Sequence, residues 1–277
     1  MKLLTAILLG IVQGVTEFLP VSSSGHLAIA EQLLGTEGAS DIPGFFDVLL
    51  HLGTLVAVFA AYWGDIRDMV LEFFRGVGDL VHGATPERVP PARRLVLMIV
   101  AATLPLVLVL PVKRWIEGLS DSMLFVGFAL LFTGVMLFLC DRVRKGRKTE
   151  KNMTIADALV IGAAQAVATC PGISRSGMTV TAGCLRGLER SFAVRFSFLL
   201  SIPAILGANL LALKDAVEAG IDWASVPVYL VGVAVAAVVG YACLSFLRYV
   251  ARKGRFTWFA YYCWTVGALV LIFTLVK

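Results

Sequence analysis

Six stretches of the chain are apolar over the length that a bilayer crossing requires. A membrane-spanning helix takes about 20 residues, because each residue adds about 1.5 Å along the helix axis. The pattern of apolar positions therefore predicts six crossings, over residues 46–63, 95–112, 124–140, 192–213, 226–247 and 256–276.

Two further stretches, residues 1–34 and 153–188, begin as apolar segments but are interrupted by clusters of Pro, Gly and Ser. Irregular backbone at membrane depth is tolerated only where it is buried in protein or lines a polar cavity. We therefore expect two re-entrant hairpins, each a pair of short helices that enters the membrane and returns to the same side.

The two interrupted stretches resemble each other. Gln13 stands twelve residues before Gly25, and Gln165 stands twelve residues before Gly177, with a proline and serines between them in both cases. The segments that follow also agree, with FDVLL at 46–50 and FSFLL at 196–200. This similarity predicts an internal repeat.

The predicted repeats cover approximately residues 1–140 and 153–277, and a basic loop over 141–152 joins them within a single integral membrane domain. Each repeat contains one hairpin and three crossings. Because three is odd, the second repeat is expected to be inserted upside down, as in the inverted-topology repeats of many transporters.

Composition agrees with this pattern. The 277 residues are 58% hydrophobic and 16% charged, with a mean hydropathy of +0.86. Soluble domains are about 45–50% apolar and about 25% charged, so a soluble globule, a disordered chain and a coiled coil are all excluded. The expected fold class is an all-α polytopic membrane protein.

The distribution of charge predicts which side faces the cytoplasm. Eighteen Lys and Arg residues fall in segments on one side of the predicted topology, and five fall on the other. The positive-inside rule places the basic side in the cytoplasm. The net charge of +5 is thereby explained without a nucleic-acid partner. The first hairpin then enters from outside and the second from the cytoplasm, so that their interrupted tips meet within the membrane.

The first tip combines a carboxylate with a helix start. Gln13 and Glu17 are four residues apart, so they lie on one face of a helix. After Pro20, the serines can cap a new helix whose free N–H groups form an anion site. The second tip repeats this design and adds Arg175.

Arg175 is the most informative of these residues because it lies in an apolar stretch, away from the basic loops. A charge at membrane depth costs at least about 2.5–3.5 kcal/mol, so ionisable residues there are functional candidates. The planar guanidinium group matches phosphate. Two helix starts and one arginine favour a phosphate or diphosphate ligand over a monocarboxylate.

Structural interpretations compete with this one. Arg175 could simply neutralise Glu17, His26 could be a core histidine, and any one of the serines could be only a helix cap. We interpret His51 and His82 as structural. Asp47 and Asp157 rank below the other acidic candidates because they have no evident partner in the sequence.

At these residues the sequence resembles the bacterial undecaprenyl-diphosphate phosphatase family, the type associated with bacitracin resistance. The likeness rests on GVTEFLPVSSSGH at 14–26 and PGISRSGMT at 171–179, and it extends over nearly the whole chain. The resemblance implies hydrolysis of a C55 isoprenoid diphosphate to the monophosphate, which recycles the lipid carrier of cell-wall synthesis. It also implies a bacterial plasma membrane location. Because the first hairpin is predicted to enter from outside, the active site is expected to open to the outer, periplasmic side.

Carried over by the resemblance, the site comprises four catalytic candidates, several substrate-binding residues and a divalent cation site. The cation is expected to be Mg²⁺, with Ca²⁺ as an alternative. Gln13 departs from the commonest family pattern, which has Glu there and so offers a harder metal ligand. The candidates are Glu17, Ser23, His26 and Arg175 for catalysis; Ser22, Ser24, Gly25, Ser174, Ser176, Gly177 and Thr179 for substrate; and Gln13 and Glu17 for the metal.

The sequence leaves the nucleophile open. Our preferred hypothesis has Ser23 attack phosphorus after activation by His26, three residues later, but His26 itself or a water molecule are alternatives. A transporter or flippase of the polyprenyl phosphate carrier is the strongest rival function, and a binding or scaffold protein is a third class. The expected partners are the lipid substrate and the surrounding membrane lipid; a homodimer is left open.

Overall fold

A computed structural model of the chain describes residues 1–34, 43–83, 89–219 and 223–276. Arg88 and Lys277, which contribute to the charge difference, lie outside these ranges. Within them the regular structure is helical, apart from one isolated β-bridge between Lys148 and Leu188. The predicted all-α fold is confirmed.

The described part of the chain contains twelve α-helices and two short 3₁₀ turns, Leu110–Val112 and Gly118–Asp121. The α-helices are α1 Leu3–Phe18, α2 Ser23–Leu34, α3 Pro43–Ala61, α4 Trp63–His82, α5 Pro91–Val107, α6 Lys113–Glu117, α7 Met123–Arg142, α8 Ile155–Val167, α9 Arg175–Leu185, α10 Arg190–Ala219, α11 Val226–Lys253 and α12 Thr257–Val276.

Five segments are long and apolar enough to cross a membrane by themselves, and they confirm a multi-pass membrane protein. They are Pro91–Val112, Met123–Arg142, Arg190–Lys214, Val226–Lys253 and Thr257–Val276. A sixth candidate is the pair formed by α3 and α4, which is bent by 87° between Ala61 and Trp63.

The segment after α3 differs from the sequence expectation, which placed it in a cytoplasmic loop. It forms the 20-residue helix α4. Charged residues recur along α4, including Asp65, Arg67 and Arg75. Such a helix would carry charge into hydrocarbon if it continued straight from α3, which accounts for the change of direction.

Both interrupted stretches form two short helices around a break. The break lies at residues 19–22 between α1 and α2, and at residues 168–174 between α8 and α9. The same cap closes each: the Ser22 hydroxyl accepts from the Gly25 N–H at 3.3 Å, and the Ser174 hydroxyl accepts from the Gly177 N–H at 3.1 Å. Ser22 has a φ of +76°, an uncommon left-handed conformation for a residue with a side chain.

The helices of the two predicted repeats pack in corresponding pairs. Helix α1 packs on α11 and α8 packs on α5, while α3 packs on α10 and α7 on α12. Small residues permit these close approaches: a Cβ on Gly10 of α1 would lie 2.5 Å from the Gly232 carbonyl oxygen of α11. The corresponding residue pair between α8 and α5 is Gly162 and Ala102. An inverted repeat would produce this pattern, which supports the two-repeat organisation; that organisation stays a prediction.

Asp157 anchors the second hairpin to the basic loop. Its side chain is fully buried and accepts from Lys148 Nζ and Arg186 Nε, both at 2.8 Å. Thr154 and Asp157 also form a capping box at the start of α8. Burial would raise the pKa of this carboxyl, but the hydrogen bonds from Lys148, Thr154 and Arg186 together hold it below its usual value. The sequence showed no partner for Asp157, and the structure supplies three.

Asp157→Asn is expected to lower the free energy of unfolding by about 3 kcal/mol, because it leaves two cations and a helix cap without their carboxylate. The thermal midpoint of the purified protein in detergent measures this loss. Asp68→Asn, on the exposed side of α4, is the control and should leave the midpoint unchanged. Equal midpoints for the two variants would contradict the anchoring role.

Candidate active site

The Glu17 carboxylate is the centre of the site. Glu17 lies in the last turn of α1 and is buried, with 7% of its surface exposed. Its Oε2 atom accepts from Ser23 Oγ at 2.7 Å and from Gln13 Nε2 at 3.3 Å, and its Oε1 atom pairs with Arg175 Nη2. One carboxylate therefore connects α1, α2 and α9.

Ser23 and Arg175 are the first residues of α2 and α9, so two helix N-termini converge on Glu17. Thr133 of α7 holds the second break in place, since its hydroxyl accepts from the Ser174 N–H at 3.1 Å and donates to the Gly172 carbonyl at 3.4 Å. The second break also bonds the first turn of α2 directly, because the Gly172 N–H donates to the Ser24 hydroxyl at 3.2 Å. Positive helix ends and one guanidinium group suit an anionic ligand.

A cavity of about 820 Å³ opens beside Glu17 and extends between α3, α5 and α10. Its remaining wall is mostly apolar, with residues such as Leu106 and Leu110 on one side and Ile205 and Leu210 on the other. The predicted site residues in its wall are Glu17, Ser22, Ser23, Ser24, Ser174, Arg175 and Ser176.

His26 does not make the predicted contact with Ser23. Its Nδ1 lies 2.7 Å from the Ser22 carbonyl oxygen and its Nε2 lies 2.9 Å from the Tyr262 hydroxyl, and its ring stacks on Tyr262 at 5.6 Å between centroids. The three-residue spacing suggested a serine–histidine pair, but the Ser23 hydroxyl instead donates to the buried Glu17 carboxylate. His26 is outside the cavity wall.

Gly25, Gly177 and Thr179, predicted to bind substrate, are also outside the cavity wall. A Cβ on Gly25 would lie 3.1 Å from Gly172 Cα, so this glycine allows the two breaks to approach each other. The Thr179 hydroxyl donates to the Arg175 carbonyl at 2.8 Å and bonds Ser197 at 2.6 Å. These residues position the helix starts.

His51 is a site residue that the sequence analysis interpreted as structural. Its Nε2 lies 3.6 Å from Glu17 Oε2, its Nδ1 lies 2.8 Å from the Asp47 carbonyl oxygen, and it lines the cavity. In the sequence, the one feature that could have indicated this role is that His51 is a single histidine within an apolar membrane-spanning segment.

Gln13 and Glu17 present oxygen atoms suited to a hard cation. Gln13 is fully buried, and its Oε1 atom has no hydrogen-bond partner among the described residues. The described ranges contain no group of three or more His, Cys, Asp or Glu side chains arranged for a metal. These two residues therefore fit Mg²⁺ or Ca²⁺ only as a partial ligand set that phosphate oxygens and water would complete.

Comparison with known proteins identifies the family of the chain. Residues 6–269 match the family described as bacitracin resistance protein BacA. The chain belongs to the BacA family. Undecaprenyl-diphosphatase from Alkaliphilus metalliredigens is 41% identical over 271 residues, 98% of each chain. The proteins of that name from Halothermothrix orenii and Methanosphaera stadtmanae are each 40% identical, over 98% of both chains for the first and over 100% of this chain and 99% of the relative for the second. The resemblance recognised in the sequence is confirmed.

The ion pair of the buried Glu17 and the partly exposed Arg175 is expected to be strongly coupled. Arg175→Met leaves the buried carboxylate without its cation and should lower the free energy of unfolding by about 3 kcal/mol, whereas Glu17→Gln should lower it by less. The double variant should lose clearly less than the sum of the two, as measured by thermal unfolding in detergent. Additive losses would show that the two side chains do not depend on each other.

Proposed function

We propose that this protein hydrolyses undecaprenyl diphosphate to undecaprenyl phosphate and inorganic phosphate, which returns the lipid carrier to the synthesis of peptidoglycan and other cell-wall polymers. The observation that carries the proposal is the meeting of Ser23 and Arg175 at Glu17, in the wall of a cavity within a membrane protein. Membership of the BacA family and the name of its relatives supply the substrate. These names do not favour the rival function of a transporter or flippase.

The diphosphate binds at the two helix starts. Arg175 presents a fork of donors to phosphate oxygens, and the N-termini of α2 and α9 add their positive ends. Ser22, Ser24, Ser174 and Ser176 line the same cavity and offer hydroxyl groups. An anion of high charge replaces Glu17 as the partner of Arg175.

Ser23 is the nucleophile and Glu17 accepts its proton. The existing 2.7 Å hydrogen bond already points the Ser23 hydroxyl at Glu17. When Arg175 turns to the diphosphate, Glu17 keeps this bond and can take the proton as Ser23 Oγ attacks the terminal phosphorus. The bond from that phosphorus to the bridging oxygen breaks, and undecaprenyl phosphate leaves. Water then hydrolyses the phosphoserine. Glu17 therefore has the role of activating Ser23 that the sequence analysis assigned to His26.

The isoprenoid tail leaves the cavity between α5 and α10. Val107, Leu110, Leu210 and Leu211 all line the cavity, and each is an exposed apolar side chain. Exposed apolar residues on two facing helices would form a lateral passage for a chain that remains in the bilayer. The sequence alone did not locate this opening.

Glu17 and Gln13 would hold a divalent cation, Mg²⁺ or Ca²⁺, with the substrate and water completing its ligands. The unpartnered buried Gln13 Oε1 supports this assignment. When bound, the cation neutralises charge on the phosphate groups.

The protein resides in the plasma membrane with its active site open to the outer, periplasmic side. Support comes from the excess of Lys and Arg on the opposite side of the predicted topology. A homodimer stays a prediction.

Ser23→Ala and Arg175→Ala are expected to reduce phosphate release from undecaprenyl diphosphate at least about 100-fold, since they remove the nucleophile and the main phosphate donor. Purified protein in detergent provides the assay. Ser201→Ala is the control, because Ser201 is buried in α10 and its hydroxyl donates to the Phe198 carbonyl. Full turnover by a folded Ser23→Ala variant, or labelled phosphate trapped on His26, would overturn the role of Ser23.

EDTA tests the cation and the orientation in one experiment, because it does not cross membranes. In detergent it should abolish phosphate release, and added Mg²⁺ should restore it. With sealed vesicles it should inhibit right-side-out vesicles and spare inverted ones. Unchanged activity in detergent would refute the cation, and inhibition confined to inverted vesicles would refute the orientation.

A further inference from the structure

Two buried amide side chains line the cavity with polar atoms that have no partner among the described residues. Gln165 is 1% exposed, and both its Oε1 and Nε2 atoms are unpaired. Asn209 is 8% exposed, and its Nδ2 atom is unpaired. Native structures leave few buried polar atoms without a hydrogen bond. Two such amides facing one cavity indicate a ligand that completes their bonds.

Comparison of the two hairpins shows why Gln165 is unpaired. The twelve-residue spacing to the following glycine matches Gln165 with Gln13 and Thr169 with Glu17. Gln13 donates to Glu17, whereas the Thr169 hydroxyl donates to the Ala166 carbonyl at 2.7 Å. Gln165 therefore lacks the carboxylate that engages its counterpart, and its amide group is available to a molecule in the cavity.

The positions of the two amides define which part of a ligand they would meet. Gln165 lies in the last turn of α8, just before the break that leads to Ser174 and Arg175. Asn209 directly precedes Leu210 and Leu211, which line the lateral passage. Gln165 is thus close in the chain to the phosphate-binding break, Asn209 is next to the residues of the passage, and both line the same cavity.

We propose that Gln165 and Asn209 bind the lipid-linked phosphate of the diphosphate, which is the group that leaves as the lipid monophosphate. This inference rests on the proposed function for the identity of the substrate. Both unpaired nitrogens are N–H donors, and phosphate oxygens accept such bonds. The terminal phosphate occupies the end with Ser23 and Arg175, so the amides make the site select a diphosphate over a single phosphate.

Ligand binding distinguishes this role from a structural one. The probes are methylenediphosphonate, which is not hydrolysed, and orthophosphate, each titrated into purified protein with the thermal midpoint as the readout. The wild-type protein should bind the diphosphonate more tightly. Gln165→Met and Asn209→Leu should each weaken diphosphonate binding about tenfold and leave orthophosphate binding unchanged.

The midpoint without ligand provides a second readout. Gln165→Met removes an unpaired buried amide while nearly preserving its volume, so the midpoint should stay constant or rise. Thr181→Val is the matched control: the buried Thr181 hydroxyl donates to the Met136 carbonyl at 3.2 Å, so its loss should lower the midpoint and leave the diphosphonate preference intact.

A lower midpoint for Gln165→Met with unchanged diphosphonate binding would assign a structural role and overturn the proposal. Equal weakening of both probes, or no preference for the diphosphonate in the wild-type protein, would also overturn it. A retained preference in a protein that releases no phosphate from undecaprenyl diphosphate would refute the proposed function and leave the diphosphate site standing.

Discussion

The interaction on which the structure depends is the placement of one carboxylate, Glu17, at membrane depth. A buried carboxylate requires donors and an opposite charge, and Glu17 obtains them from Gln13, Ser23 and Arg175. Gln13 and Ser23 belong to the consecutive helices α1 and α2, whereas Arg175 belongs to α9, far away in the chain. The requirement to satisfy Glu17 therefore brings both hairpin tips to one point and places the starts of α2 and α9 side by side.

The breaks that create the site are stabilised by residues that include proposed ligand-binding residues. Free N–H groups at a helix start need acceptors in a region without water. Ser22 and Ser174 cap their own helices, and Thr133 supports the second break from α7. Ser22 adopts its left-handed backbone conformation within this network, at a cost that the surrounding bonds must offset. Under the proposed function, the stability of the breaks and the binding of an anion depend on the same segments of the chain.

The sequence predicted the features that composition and spacing control. Apolar segments located five of the six predicted crossings as single spans, and the paired Pro, Gly and Ser clusters indicated Glu17, Ser23 and Arg175, which the structure brings into contact. It failed where the direction of a side chain decides the contact. Spacing placed Ser23 and His26 on one helical face, but the hydroxyl donates to Glu17 and the imidazole bonds Tyr262. In the sequence, His51 and Asn209 have no distinguishing spacing and Gln165 stands out only as the counterpart of Gln13, so their shared cavity is what indicates all three as site residues. Helix α4 was missed because its charges resembled those of a loop.

The ion pair between Glu17 and Arg175 gives the resting protein a built-in competitor for its own ligand. A carboxylate tethered beside the guanidinium has a very high local concentration, so weakly charged anions displace it poorly. A lipid diphosphate carries more negative charge than the lipid monophosphate that remains after hydrolysis. In the proposed reaction the charge in the cavity falls on hydrolysis, so Glu17 would pair with Arg175 again, and the return of this contact would favour departure of the product.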